Sequence, residues 1–163
     1  GTAIAALRAL GEGERAAEAA VTGAEWPARM QRLTGRLARR AAPAELWLDG
    51  GHNPHAGRAL AATLRALPPK PTFLVCGMLN TKDVAGYMAP LAGLVDGLAA
   101  VSIPGEANTL PAGTTAAHAA AAGIPAQRQP SVAAAIDEFS APGRRILICG
   151  SLYLAGHVLR EDG

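Results

Sequence analysis

Two cysteines in 163 residues are too few for a disulfide-stapled scaffold, and no zinc-ligand spacing surrounds either of them. Cys76 and Cys149 instead sit inside apolar runs that read as buried strands, where a free thiol in a reducing compartment behaves as a small hydrophobe. No stretch is apolar for the roughly twenty residues a membrane helix needs, and no secretory-leader pattern is present. A cytoplasmic location without a membrane partner is therefore expected. Nothing fits G-x-x-x-x-G-K-[ST], so the chain has no phosphate-cradling loop, and no G-x-G-x-x-G turn marks a dinucleotide domain. Neither a Ser-His-Asp arrangement nor a pair of carboxylates points to hydrolysis. The formal charge of +2 is too small and too scattered to argue for a nucleic-acid partner. Arg32, Arg36, Arg39 and Arg40 form the one basic run, which reads as solvated surface, with phosphate contact as the alternative. Internal repeats are absent.

What is present is a core. Half of the residues (50%) are hydrophobic, mostly Ala and Leu, and the length suits one compact domain with a short appendage. The stretch Leu46-Trp47-Leu48-Asp49-Gly50-Gly51-His52-Asn53-Pro54 organises the rest. Three apolar residues run into an acid and two glycines, then into an N-cap residue and a proline suited to the first helical position. Residues 56–67 are strong helix formers with Leu60, Leu64 and Leu67 at helical spacing. Strand, tight turn and helix follow, with Asp49 and His52 at the carboxyl end of the strand. That end is where open α/β sheets bind ligands, and a helix N-terminus favours anions. A D-G-G turn before an N-capped helix also occurs as plain architecture, and His52 alone could be a turn-stabilising or solvated side chain.

Beyond this helix the chain alternates. Strands are expected at 72–78, 98–103 and 145–150, with a short edge strand at 126–128. Helices are expected at 83–95 with a break at Pro90, at 114–122 before Gly123, at 131–139 capped by Ser131, and at 152–160. Strands separated by single helices call for a mainly parallel sheet. Two further loops fall at strand carboxyl ends. In the first, Lys82 is a compact cation suited to a carboxylate, or else an exposed lysine beside the helix cap Asp83. In the second, Ser151 at a helix start is either a carboxylate-binding group or simply an N-cap. His118 and His157 lie in helical patterns and read as structural or solvated. Upstream, residues 2–22 look like two short Ala-rich helices broken at Gly11-Glu12-Gly13, with Ile4, Leu7 and Leu10 lacking a partner.

The run D-G-G-H-N-P-H-A at 49–56 resembles the D-x-A-H-N-P-H-A signature of folylpolyglutamate and dihydrofolate synthases. These are ATP-dependent amide ligases related to the muramoyl-peptide ligases. Glu25-Trp26-Pro27-Ala28-Arg29-Met30-Gln31 is similar to the family's W-P-G-R-x-Q motif, with Ala28 in place of Gly and a longer spacing to Asp49. Gly77-Met78 and Lys82-Asp83 match a G-M-x-x-D-K-D run in which Thr81 replaces the first Asp. Gly150-Ser151-Leu152-Tyr153-Leu154 matches G-S-L-Y-L. At position 51, Gly replaces the commoner Ala.

The resemblance implies a three-layer α/β fold with a mostly parallel, Rossmann-like sheet and helices on both faces, of the Mur ligase C-terminal domain type. Residues 1–25 would be remnant helices from a preceding ATP-binding domain, 26–44 a linker, and 45–163 the C-terminal domain. Arg29 would contact ATP phosphate, Asp49 the nucleotide, and His52 the transferring phosphoryl group; Asn53, Lys82 and Ser151 would hold L-glutamate. His52 and Lys82 would be the catalytic pair. The full enzyme would join L-glutamate to folate or dihydropteroate through an acyl phosphate, using ATP and Mg2+. No metal ligand is expected within this chain, because P-loop and magnesium ligands belong to an N-terminal domain that would be its partner. The chain alone is expected to be monomeric and inactive. A muramoyl amino-acid ligase domain and a non-catalytic α/β binding module are the competing readings.

Overall fold

A computed structural model describes residues 28–163. The Ala-rich helices expected at 2–22, the remnant-domain assignment of 1–25 and the Trp26-Pro27 anchor lie outside the described residues. Six strands form one sheet in the order β1-β2-β6-β3-β4-β5. They are β1 (Gln31–Arg32), β2 (Glu45–Leu48), β3 (Thr72–Cys76), β4 (Gly97–Ala100), β5 (Ala126–Arg128) and β6 (Arg145–Cys149). All neighbouring pairs are parallel except β1 with β2. The helices are α1 (Arg36–Ala41), α2 (Pro54–Ala66), α3 (Val84–Met88), α4 (Ala112–Ala121), α5 (Val132–Phe139) and α6 (Leu152–Asp162).

Alternation along the strands builds two cores. Ile146 and Ile148 of β6, with Val75 of β3 and Ala99 of β4, pack against Leu37 of α1, Ile136 of α5 and Val158 of α6. Leu147 and Cys149, with Leu74, Cys76 and Leu98, pack against Leu60 and Leu64 of α2, Tyr87 of α3 and Ala119 of α4. Helix, sheet and helix therefore form three layers, and β6 is buried along its whole length because both of its faces are covered. The expected fold class is the observed one.

The differences from the sequence reading are local. Proline splits the long helix expected at 83–95: α3 ends at Met88, and Pro90 lies in a 3-10 turn (Ala89–Leu91). The strand expected at 98–103 pairs over Gly97–Ala100. More important, the stretch 26–44, expected as a linker, carries β1 and α1 in its described part. Gln31 and Arg32 pair with Leu48 and Trp47, while Leu33, Leu37 and Ala41 enter the core. Position α1 is fixed from a distance: its N-cap Gly35 has no side chain, and the Asp162 carboxylate supplies the missing acceptor, receiving the N–H groups of Gly35 (2.9 Å), Leu37 (2.7 Å) and Ala38 (3.2 Å). Among the described residues no helix is long and apolar enough to cross a membrane.

Candidate functional site

Chain connectivity locates a crevice before any side chain is considered. From β2, β3 and β4 the chain passes into α2, α3 and α4 on one face; from β6 it passes into α6 on the other. Strand β6 lies between β2 and β3, so the chain leaves neighbouring strands toward opposite faces at this point. A gap opens outside the carboxyl ends of strands at such a switch. Asp49 follows β2, Gly77 to Asp83 follow β3, and Gly150-Ser151 follow β6. The loops bearing Asp49, His52, Asn53, Lys82 and Ser151 thus share one edge of the sheet.

Close approaches knit the three loops together. Gly150 has φ +102°, and a Cβ there would lie 2.8 Å from the Gly77 carbonyl oxygen and 2.7 Å from Cys76 Sγ, so the β6 loop touches the β3 loop at a position only glycine fits. A Cβ at Gly57 would lie 2.4 Å from the Tyr87 carbonyl oxygen, which brings the start of α2 against α3.

Each loop ends in a capped helix. Asn53 is extended, and its side chain accepts from the Ala56 N–H at 2.9 Å with Pro54 at the first helical position. Asp83 caps α3 through the Gly86 N–H at 2.9 Å. Ser151 is buried, and its hydroxyl accepts from the Tyr153 N–H at 3.1 Å. Residues Asn53 and Ser151 therefore have definite structural jobs as N-caps, while α2 and α6 both point their positive N-terminal ends at this edge. Lys82 forms no ion pair with any described residue.

His52 places Nδ1 3.1 Å from the Gly50 carbonyl oxygen. A carbonyl only accepts, so Nδ1 carries the hydrogen and the neutral ring keeps its lone pair on Nε2. Asp49 continues the sheet through its N–H to Ile148 O (2.9 Å), and its carboxylate accepts from the N–H groups of Gly51 (2.8 Å) and Met30 (3.1 Å). A Cβ at Gly51 would lie 2.8 Å from both Asp49 Oδ1 and Ala56 Cβ, so the alanine commoner at this position would press on the carboxylate.

Arg29 is exposed and joins the site from the loop before β1, with no ion pair to any described residue. Together with Asp49 it borders an open cavity of about 260 Å³ whose other walls are Met30, Ala56, Ala59, Leu60 and Thr63. A larger depression of about 480 Å³ opens at the other end of the sheet beside Lys70, Asp96 and Arg145, away from these loops.

Three contributors to this site are not marked by residue type alone, one of them local and two tertiary. The Gln31 side chain accepts from the Ala28 N–H at 2.9 Å and closes the Arg29 loop; the final Gln of the W-P-x-R-x-Q pattern was the available signal. The Lys82 loop is propped from the side, where Asn80 N–H donates to Asn108 O (3.0 Å) and Leu110 N–H to Met78 O (2.8 Å). Tyr87 lies wholly buried in the core shared by α2 and α3, with Cys76 and Cys149 as neighbours. Burial raises its pKa well above the ordinary value, and the two thiols add to the shift. For Cys76, contact with the Cys149 thiol and then burial act in the same upward direction. No group of three or more His, Cys, Asp or Glu among the described residues could hold a metal ion.

Residues 28–152 match the family described as Mur ligase, glutamate ligase domain. The dihydrofolate synthase/folylpolyglutamate synthase of Escherichia coli (strain K12) is 34% identical over 164 residues, covering 97% of this chain and 36% of that protein. Among solved structures, E. coli FolC in complex with DHPP and ADP superposes with a TM-score of 0.79 at 29% identity, covering 97% of this chain and 37% of the other. A bifunctional folylpolyglutamate synthase/dihydrofolate synthase with Mn, AMPPNP and L-glutamate bound gives 0.73 at 28% identity, covering 92% and 35%. The chain thus spans about a third of the length of the proteins it resembles.

Proposed function

Because the chain belongs to the Mur ligase family, as its glutamate ligase domain, we propose that it forms one wall of the active site of an ATP-dependent carboxylate–amine ligase that adds L-glutamate to folate or dihydropteroate. The other wall would be a P-loop domain of the same protein. In the reaction, a pteroate or folyl carboxylate oxygen attacks the γ-phosphorus of ATP and ADP departs. The glutamate amine then attacks the acyl carbon, phosphate leaves, and the amine loses a proton. Such chemistry needs positioning and neutralisation of charge more than covalent help from the protein.

The roles follow from chemistry at the shared edge. Arg29 offers a forked, permanently charged donor to phosphate. The cavity beside Arg29 and Asp49 suits a nucleotide, with Met30, Ala56 and Leu60 as its apolar surface. His52 directs Nε2 toward the phosphoryl or acyl phosphate, while Lys82, Asn53 and Ser151 receive the glutamate carboxylates beside the N-termini of α2 and α6. Magnesium would neutralise the phosphates, and among the described residues no group of three or more His, Cys, Asp or Glu could hold it.

What supports this reading above all is the common edge on which the β2, β3 and β6 loops open, where two helix N-termini lie together with Lys82, a lysine without an ion pair among the described residues. The test is ADP release by the protein joined to its P-loop domain, measured with and without each co-substrate. Turnover should require both L-glutamate and dihydropteroate or folate. Lys82→Ala should raise the KM for glutamate by about tenfold or more while sparing that for ATP, since one charge-assisted contact is worth about 1.5–3 kcal/mol. The 163-residue chain alone should give no turnover. ATP consumption indifferent to both co-substrates would overturn the assignment.

A further inference from the structure

Arg29 sits between two residues in an unusual backbone conformation. Ala28 has φ 57° and Met30 has φ 41°, the left-handed region that residues with a Cβ rarely enter. Such conformations persist where the surroundings over-determine them, and they cluster at ligand clamps. Three hydrogen bonds do so here. The Met30 N–H donates to Asp49 Oδ2 at 3.1 Å, the Gly50 N–H donates to the Ala28 carbonyl at 2.7 Å, and the Ala28 N–H donates to Gln31 Oε1 at 2.9 Å. Oδ1 of the same carboxylate is tied to its own turn through the Gly51 N–H at 2.8 Å. Ala28 is buried, so its methyl group anchors the loop in the core while its neighbour Arg29 stands exposed.

We infer that Asp49 is a positioning residue for Arg29: its carboxylate bridges the turn after β2 to the strained loop before β1 and fixes the direction in which the guanidinium points. The inference rests on the phosphate role proposed for Arg29, and it goes beyond a direct contact between Asp49 and nucleotide. A carboxylate suits this task better than a neutral side chain because it accepts at both oxygens, each from a backbone N–H on a different loop. Gln31 is the second latch on the same loop.

Two measurements separate this from its alternative. In the protein joined to its P-loop domain, kcat/KM for ATP is compared for Arg29→Ala, Asp49→Ala and the double variant. If Asp49 acts through Arg29, the double variant falls no further than about twofold below Arg29→Ala, because groups that act as a unit are not additive. Asp49→Asn, which keeps one acceptor, should recover part of the loss, and Gln31→Ala should repeat a milder form of it. Losses that multiply would mean that Asp49 meets the nucleotide independently, and would overturn the inference. The second measurement is amide hydrogen exchange at Ala28 and Met30, which needs no activity. Protection at Met30 should drop by about tenfold or more in Asp49→Ala, which removes both acceptors, and stay unchanged in Arg29→Ala. Unchanged exchange in Asp49→Ala would refute the latch even if the enzyme is a ligase. Lost protection with no effect of Arg29→Ala on ATP would instead uphold the latch and remove Arg29 from the proposed chemistry.

Discussion

Tyr87 is fully enclosed, yet its hydroxyl has no hydrogen-bond partner among the described residues. Around it lie the thiols of Cys76 and Cys149, which are poor acceptors, and the charge of Asp49 also acts on it. A buried hydroxyl left unmatched costs about 1–3 kcal/mol relative to one that is paired, whereas the ring itself fills the core. Tyr87→Phe should therefore be neutral or should stabilise the fold by up to about 1 kcal/mol, read as a rise in the urea midpoint at constant slope. A fall of more than about 1 kcal/mol would mean that the hydroxyl is bonded after all. Glu45 shows the opposite case, a carboxylate with several cations. Lys70 Nζ lies 2.6 Å away, Arg32 3.9 Å, and the buried Arg145 4.0 Å. The hydrogen bond from Lys70 is the main reason that its pKa falls below the ordinary 4.5. Because the folded value is the lower one, Glu45 stabilises the fold above about pH 4.5, and that contribution disappears as pH falls through the folded value. The Tm gap between the parent protein and Glu45→Gln should be flat near neutrality and shrink in acid. A gap that persists unchanged to low pH would show that the charge is not what matters.

Helix α1 is the element most dependent on something remote. Its first turn draws an acceptor from Asp162, 127 residues beyond Gly35, at the end of α6. Gly35 is obligatory because a Cβ there would lie 1.9 Å from the Asp162 carbonyl oxygen. Asp162→Ala leaves three N–H groups without that carboxylate and should cost about 2 kcal/mol, the upper end of measured cap losses. Exchange protection should fall first at 35–38; a uniform, small loss across the sheet would argue that the cap is incidental. This dependence also explains what could be read from the sequence. Strands β3 and β6 are legible because a strand buried on both faces is a continuous apolar run, and α2 is legible because Asn53 and Pro54 write its start locally. By contrast, the apolar series Leu33, Leu37, Ala41 is interrupted by three arginines, and the cap of α1 is not adjacent in sequence. That is why 26–44 reads as a linker. The same division holds at the site. Asp49, His52, Lys82 and Ser151 are legible as polar residues at strand ends, whereas the latch through Asp49 and the burial of Tyr87 depend on tertiary placement, and the Gln31 latch, though local, shows only in the loop's geometry.

At the scale of the molecule, the two ends of the sheet do different work. At the carboxyl end Lys82 forms no ion pair with any described residue, whereas at the amino end Glu45 pairs with Lys70 and Arg145. Between them, Cys76 and Cys149 stand opposite each other on β3 and β6, both free, with relative exposures of 0% and 1%. Each of these strands has a neighbour on both sides and helices on both faces, so neither sulfur can be reached by fraying an edge. Contact between the thiols and their burial also keep Cys76 in its unreactive protonated form. Labelling by an aromatic disulfide reagent should therefore need separation of β3 from β6, which opens both cores at once. In native buffer the two thiols should react slowly and together. As urea is raised, the logarithm of the labelling rate should climb with the slope of global unfolding, provided that reclosing is faster than labelling. Fast labelling that ignores urea would instead reveal a local opening beneath the Gly77 and Gly150 loops, and the edge would then be a mobile part of the domain rather than an extension of its rigid centre.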